Sequence, residues 1–369
     1  MAINEENYFE QVIGPLRQRP RRSDPDGLDE SEEWWIGHFE YLKERGYMMR
    51  PRYRPGWQPS YIPGSFGSLY AEDAQRTPHP YIMDALRMSD SLIVALKLVK
   101  TSTGEDEIAM LFSDDDHNSD PHNHCVRILE VLPVPGADAE KILVMVWMRN
   151  VMDPRFRTIG EAIQFFKEMI ESLQYMHRNN VAHRDCSLNN MAMEANSMFI
   201  RQYHPMAPKK RYYLIDFGCS RMYDPSQPRP LEYSLKSGGY IPPEGLADMP
   251  CDPFATDVFF LGNLMRTSFL DGDPVMRQPG VSGFEFLRPL VSDMVADDPS
   301  KRPTMDEVAS RFSGIVGKLR WWKLRSRAVQ KDEFLSTPFR AVYHLFWTAS
   351  MMLLLKPAIP SPKPLHSRL

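Results

Sequence analysis

The sequence has little cysteine: Cys125, Cys186, Cys219 and Cys251 are four in 369 residues, far apart and never at a CxxC spacing. That excludes a disulfide framework and a cysteine zinc site, and it fits a reducing compartment. An excess of one charge is lacking too. With 44 basic and 48 acidic residues the formal net charge is −4, so no general basic surface of the kind that neutralises nucleic-acid phosphates is expected, and nucleic acid is not an expected partner. No apolar run reaches the roughly 18 residues of a membrane-spanning helix. The one candidate, Ala341 to Leu355, is interrupted by His344, Thr348 and Ser350. The amino end carries neither the apolar core of a secretory signal nor the acid-poor composition of a transit peptide, so a cytoplasmic or nuclear setting is expected. Internal repeats are also missing. What is there is an ordinary globular composition, 43% hydrophobic and 25% charged, in a chain long enough to bury a core without metals or disulfides.

Along the chain, Trp35, Phe39 and Leu42 recur at helical spacing before Gly46, predicting a helix that ends there. The stretch RPRYRPGWQPSYIPGSFGS is too rich in Pro and Gly for a regular element. MDALRMSDSLIVALKLV, from Met83 to Val99, reads as a β-hairpin broken by Ser-Asp-Ser, and Ile142 to Trp147 as another strand, with a short helix from Gly104 to Phe112 between them. After Asn150 the pattern turns helical. Thr158 and Glu161 form a capping-box signature ahead of Ile163, Phe166, Ile170, Leu173 and Met176. Asp257 to Leu264 is apolar on most sides and predicts a buried helix; Thr304 and Glu307 give a second capping box.

Two segments carry chemistry. HRDCSLNN sets Asn190 five residues after Asp185, and LIDFG sets Asp216 at the end of an apolar strand. With them, Val94-Ala95-Leu96-Lys97, Glu107-Ile-Ala-Met-Leu111, Tyr240-Ile-Pro-Pro-Glu244, Asp257-Val-Phe-Phe-Leu-Gly262 and Lys301-Arg302-Pro303 make seven segments in a fixed order. From about Met83 to Gly317 this series resembles the eukaryotic protein kinase domain, and a divergent fungal kinase-like branch of it.

The resemblance implies an α+β bilobal kinase fold: a small β-rich lobe to about Trp147, a hinge at Met148 to Asn150 and a larger α-helical lobe. Residues 1–79 read as an extension and 318–369 as a basic and apolar tail. It implies a protein kinase that moves the γ-phosphoryl group of ATP to a hydroxyl of a protein substrate, of the Ser/Thr type. The roles it implies are Asp185 as base, Asn190 and Asp216 as Mg²⁺ ligands, Lys97 as the cation for the phosphates with Glu107 as its partner, and backbone at Val146 and Met148 for adenine. Phosphoryl transfer suits these residue types, because its transition state needs positioning and charge neutralisation more than covalent chemistry. His183, Phe217 and Asp257 are expected to brace the loop.

Some positions depart from the pattern. No GxGxxG precedes Lys97, and Gly64-Ser-Phe-Gly67 lies too early to supply one. Ser187 stands where a lysine is usual, and Cys186 where leucine is common; Ser237 does match the hydroxyl of serine/threonine kinases. These departures keep a pseudokinase, a binding or scaffolding module, as the alternative. HPMAPKKR predicts an exposed insertion before Asp216. Tyr223, Ser226, Tyr233 and Ser234 could dock on Arg184 once phosphorylated. Cys219 is expected to be an inert thiol. KLRWWKLRSR and the apolar run after it fit either an anionic membrane surface or packing on the large lobe, and packing is the expectation carried forward.

Overall fold

The structure is a computed structural model that describes residues 27–77, 79–194, 211–235, 240–274, 277–333 and 337–362. It divides into two units, residues 1–99 with 130–146 and residues 100–129 with 147–369. The first is built on a sheet and the second is mainly helical, which is the expected α+β division into a small β-rich lobe and a larger helical lobe.

In the sheet unit, α1 (Glu30–Gly37) opens with a full capping box: the Asp29 side chain accepts from the Glu32 amide at 3.0 Å and Glu32 accepts from the Asp29 amide at 3.0 Å. α2 (Phe39–Glu44) follows after a break at His38, so the single expected helix is two. Its apolar face survives the break, with Trp35, Phe39 and Leu42 all buried, and Gly46 ends it at φ +91°. The strands are β1 (Tyr47–Met49), β2 (Ile82–Arg87), β3 (Leu92–Lys100), β4 (Ile128–Pro133) and β5 (Glu140–Val146), in the order β1-β2-β3-β5-β4. β2 and β3 form the expected hairpin, with Ala85 opposite Val94.

Edge strand β1, which pairs antiparallel with β2, ends just before the Pro-rich stretch, and that stretch forms only short 3-10 turns at Pro51–Tyr53 and Phe66–Leu69. Buried Arg52 organises the rest: it donates to Glu32 at 2.7 Å and to the Asp73 carbonyl at 3.0 Å. Asp73 in turn accepts from the Trp57 indole at 3.0 Å and the Ser60 amide at 2.9 Å. Side chains thus satisfy polar groups that this backbone cannot pair with itself.

In the helical unit, α3 (Glu105–Leu111) is followed by β6 (Met148–Asn150), which pairs antiparallel with Met191–Glu194 and occupies the residues expected to form the hinge. α4 (Ile159–Arg178) is the central helix and buries its apolar stripe. Thr158 caps it through the Glu161 amide at 3.1 Å, but Glu161 reaches the Arg157 amide at 2.7 Å, one residue beyond the expected box. Short strands β7 (Val181–Ala182), β8 (Met191–Glu194), β9 (Tyr212–Leu214) and β10 (Arg221–Met222) carry the chain through the candidate site.

Helices α5 (Pro253–Met265), α6 (Arg288–Met294), α7 (Met305–Gly317) and α8 (Thr337–Leu353) complete the unit. α5 is buried almost throughout, and α7 has the full capping box expected at Thr304 and Glu307. Only glycine fits at 262, since a Cβ there would sit 2.6 Å from that of Met294 on α6. The tail packs on its own unit: His344 Nε2 donates to the Arg325 carbonyl at 2.8 Å, and the Arg157 guanidinium lies 4.6 Å from the Tyr343 ring and 4.4 Å from that of Trp347. Among the described residues no helix is long and apolar enough to cross a membrane.

Glu168 joins α4 to β9, accepting from the Tyr212 amide at 2.7 Å and Gln164 Nε2 at 3.0 Å. Burial pushes its carboxyl up to about 8, against the pull of those hydrogen bonds and Arg211. A carboxyl whose folded pKa is raised contributes stability that is full below its unfolded pKa and is lost as pH rises through the folded one. Here that loss runs from the ordinary value of 4.5 to about 8. Glu168→Gln keeps the neutral shape. Its urea midpoint should therefore fall less than the parent's between about pH 5 and 8; parallel curves would show that Glu168 is ionised throughout.

Candidate active site

β7 delivers the chain to a turn held by one side chain. Asp257 on α5, fully buried, accepts from the His183 amide at 2.8 Å through Oδ2 and from the Arg184 amide at 2.6 Å through Oδ1, while His177 Nε2 shares Oδ2 at 2.9 Å. The turn needs such support, because Arg184 sits at φ +66°, a conformation that costs a non-glycine residue of order 1–3 kcal/mol. Asp216 is held in the same left-handed region, also at φ +66°. Between these two positions the His183 ring lies 5.9 Å from that of Phe217, and Phe217 lies 6.1 Å from Phe112 below α3.

Three expected site residues come together on this frame. Asn190 Nδ2 donates to the Asp185 carbonyl at 2.9 Å, and the Asn190 carbonyl accepts from the Ile215 amide at 2.9 Å, which ties Asp185 to the residue before Asp216. Asp216 Oδ1 accepts from the Gly218 amide at 3.1 Å. Asp185 Oδ1 is buried and has no hydrogen-bond partner among the described residues. An acceptor left in that state costs about 1–3 kcal/mol, and a proton-bearing group of a substrate would relieve it. With its nitrogen engaged, Asn190 has its amide oxygen left for a ligand. That oxygen and the Asp216 carboxylate are hard donors that suit Mg²⁺, which needs few protein oxygens when waters and phosphates complete its shell.

The carboxylate that reaches the Asp216 turn from α3 is Glu105. Its Oε2 lies 3.1 Å from where a Cβ on Gly218 would stand. Glu107, expected as the site acid, is on the other face and exposed. Helical spacing explains the difference, since Ile108, Ala109 and Phe112 form the buried stripe and put Glu105, not Glu107, in line with it. Lys97 lies half-buried in β3 opposite Ile82, Val146 closes β5 and Met148 opens β6. Burial first, then Asp185 and Asp216, raise the Cys219 thiol, so it stays protonated and unreactive.

Two ion pairs brace the segment that follows. Arg302 grips Glu244 with two hydrogen bonds, 2.6 and 2.9 Å, both side chains buried. Burial alone would raise the Glu244 carboxyl; Arg302, together with a backbone amide and the Cys251 thiol, outweighs it and the net shift is downward. The second pair joins Arg184 to Glu232 at 2.9 Å. A carboxylate of the chain thus occupies the guanidinium on which a phosphate was expected, and no periodicity in the sequence marks it. Ser237, and all of HPMAPKKR except Arg211, lie outside the described residues.

Asp257→Asn should leave an amide NH₂ facing a donor. A loss of about 1–3 kcal/mol is expected, read as a lower urea midpoint with unchanged slope. An unshifted midpoint would mean that the turn holds without Asp257.

Compared with known proteins, residues 81–285, more than half of the chain, match the family model described as Protein kinase domain. The carbon catabolite-derepressing protein kinase of Secale cereale is 24% identical over 276 residues, which cover 71% of this chain and 50% of that protein. NUAK family SNF1-like kinase 1 of Mus musculus is 23% identical over 246 residues, 60% of this chain and 34% of that one. Serine/threonine-protein kinase SAPK3 of Oryza sativa subsp. indica is 25% identical over 253 residues, 61% and 71% of the two chains. The chain therefore spans half or less of the first two relatives' length.

Proposed function

We propose that this chain, which belongs to the protein kinase family, transfers the γ-phosphoryl group of ATP to a hydroxyl of a protein substrate, with serine and threonine as acceptors. The observation that carries this reading is the buried, unpartnered Oδ1 of Asp185, on a loop that also presents Asn190 and Asp216. A substrate hydroxyl at that oxygen is oriented and gives up its proton to Asp185 as its oxygen bonds to phosphorus and the bond to the ADP oxygen breaks. Mg²⁺ held by Asn190 and Asp216 would neutralise charge on the phosphate oxygens. Lys97 supplies a cation for the phosphates, and Val146 and Met148 offer backbone to adenine. The acid role assigned to Glu107 from sequence passes to Glu105, because Glu105 is the buried one. The acceptor type rests on relatives named as serine/threonine kinases. Four unpaired cysteines support a reducing, cytoplasmic or nuclear setting.

One observation favours the pseudokinase reading. The β2–β3 turn, where the family covers phosphates with glycine amides, is closed by Asp90, which pairs with Arg87 at 2.6 Å and accepts from the Leu92 amide at 3.1 Å. A carboxylate there disfavours phosphate.

Thermal shift with MgATP coupled to a transfer assay separates the two. Asp185→Asn should lower turnover about 10³-fold while MgATP still stabilises the protein, and turnover retained in that variant would sink the mechanism. Stabilisation of the parent without any transfer would select the pseudokinase. Glu105→Gln should lower kcat/KM roughly 10²-fold and Glu107→Gln hardly at all; the reverse order would return the role to Glu107.

A further inference from the structure

Arg184 stands immediately before Asp185 and carries a charge that the fold does not leave in water. Its guanidinium lies 2.9 Å from Glu232 Oε2, with the two side chains 9% and 14% exposed. It also donates to the Cys219 carbonyl at 3.3 Å. Glu232 is fixed from both ends. Its amide and carbonyl each pair with Cys251, at 2.9 Å both ways. Its other oxygen meets Arg221 at 3.0 Å. Cys251 belongs to the block built on Glu244 and Arg302, since its thiol contacts Thr256 Oγ1 at 2.9 Å and Glu244 Oε1 at 3.4 Å. A single carboxylate therefore links three places: the loop that bears Asp185, strand β10 just after Asp216 to Gly218, and the block that opens α5.

Kinase segments of this kind are commonly ordered when an added phosphate pairs with an arginine. That needs an arginine without a fixed acid. Arg184 already has one, in an ion pair at 2.9 Å that lies largely out of solvent. Of the hydroxyls nearby, Tyr223 is buried against Phe254 and feels Glu232 and Arg184, while Ser226 and Tyr233 are exposed.

We propose that Glu232 is a positioning residue whose fixed carboxylate holds the segment after Gly218 on the loop bearing Asp185, so that the unphosphorylated chain already has the order a phosphate would otherwise create. The activity arm of the test rests on the phosphotransfer reading; the exchange arm does not.

The experiment uses the full chain, treated with phosphatase and checked by mass, and reads amide hydrogen exchange over residues 219–235 together with initial rates. The treated parent should keep its rate within about twofold, as a fixed acid needs no modification. Glu232→Gln leaves Arg184 and Arg221 without their partner. Exchange in the segment should quicken roughly ten- to a hundredfold and kcat should fall by a similar factor, with KM for ATP unchanged. Glu232→Asp should restore part of both. Adding Arg184→Met to Glu232→Gln should cost less than Arg184→Met costs the parent, the mark of a shared interaction. Ser226→Ala with Tyr233→Phe should change neither reading.

A parent rate that collapses on phosphatase treatment would overturn the proposal, and so would unchanged exchange in Glu232→Gln. The phosphatase arm needs no variant, so it decides even if Glu232→Gln fails to fold. If the parent transfers no phosphate in either state while exchange still depends on Glu232, the positioning role stands and the phosphotransfer reading falls.

Discussion

The candidate site depends on the burial of one carboxylate. Asp257, enclosed on α5, turns a strained backbone into a fixed one by accepting the amides of His183 and Arg184 and a bond from His177. Left-handed backbone at a bulky residue persists only where its surroundings over-determine it. Asp257 does this for Arg184, and the aromatic contacts from His183 through Phe217 to Phe112 support the turn at Asp216. Asp185 is placed by these neighbours: its amide donates to His183 Nδ1 at 3.3 Å, and its carbonyl accepts from Asn190 Nδ2 and from the Ser187 amide. Its carboxyl oxygen is left over for chemistry.

Around this turn, charge is used to specify arrangement more than to add stability. A buried ion pair recovers little net free energy once desolvation is counted, yet losing one partner strands a charge and costs several kcal/mol. The pairs Arg302–Glu244, Arg184–Glu232 and Arg52–Glu32 all fall under this rule. Each fastens irregular backbone: Arg302–Glu244 the segment before α5, Arg184–Glu232 the segment after Asp216 to the loop bearing Asp185, and Arg52–Glu32 the Pro-rich stretch to α1. Irregular backbone cannot pair its own polar groups, and these side chains pair them instead.

Much of this was legible in the residues. The hairpin, the helix after Thr158, the buried helix over Asp257 to Leu264 and the capping box at Thr304 follow from periodicity and local hydrogen bonding, which are properties of short segments. The joining of Asp185, Asn190 and Asp216 followed from short, ordered motifs. The buried face of α3 was legible too, since Ile108, Ala109 and Phe112 put Glu105 in line; the motif match drew attention to Glu107 instead. The break at His38 and the strand Tyr47–Met49 were not legible, because both depend on packing against distant partners.

By itself, then, the sequence determined the division into a β-rich and a helical part, the order of the motifs and the identity of the loop that carries Asp185. Tertiary structure alone decided that the buried face of α3 lies against Gly218, that Asp257 holds the turn, and that Arg184 is matched by Glu232, 48 positions further along the chain. The physical reason is that local spacing sets which face of an element a residue occupies, whereas the pairing of buried charges depends on which faces the fold brings together, and no pattern within one segment encodes that.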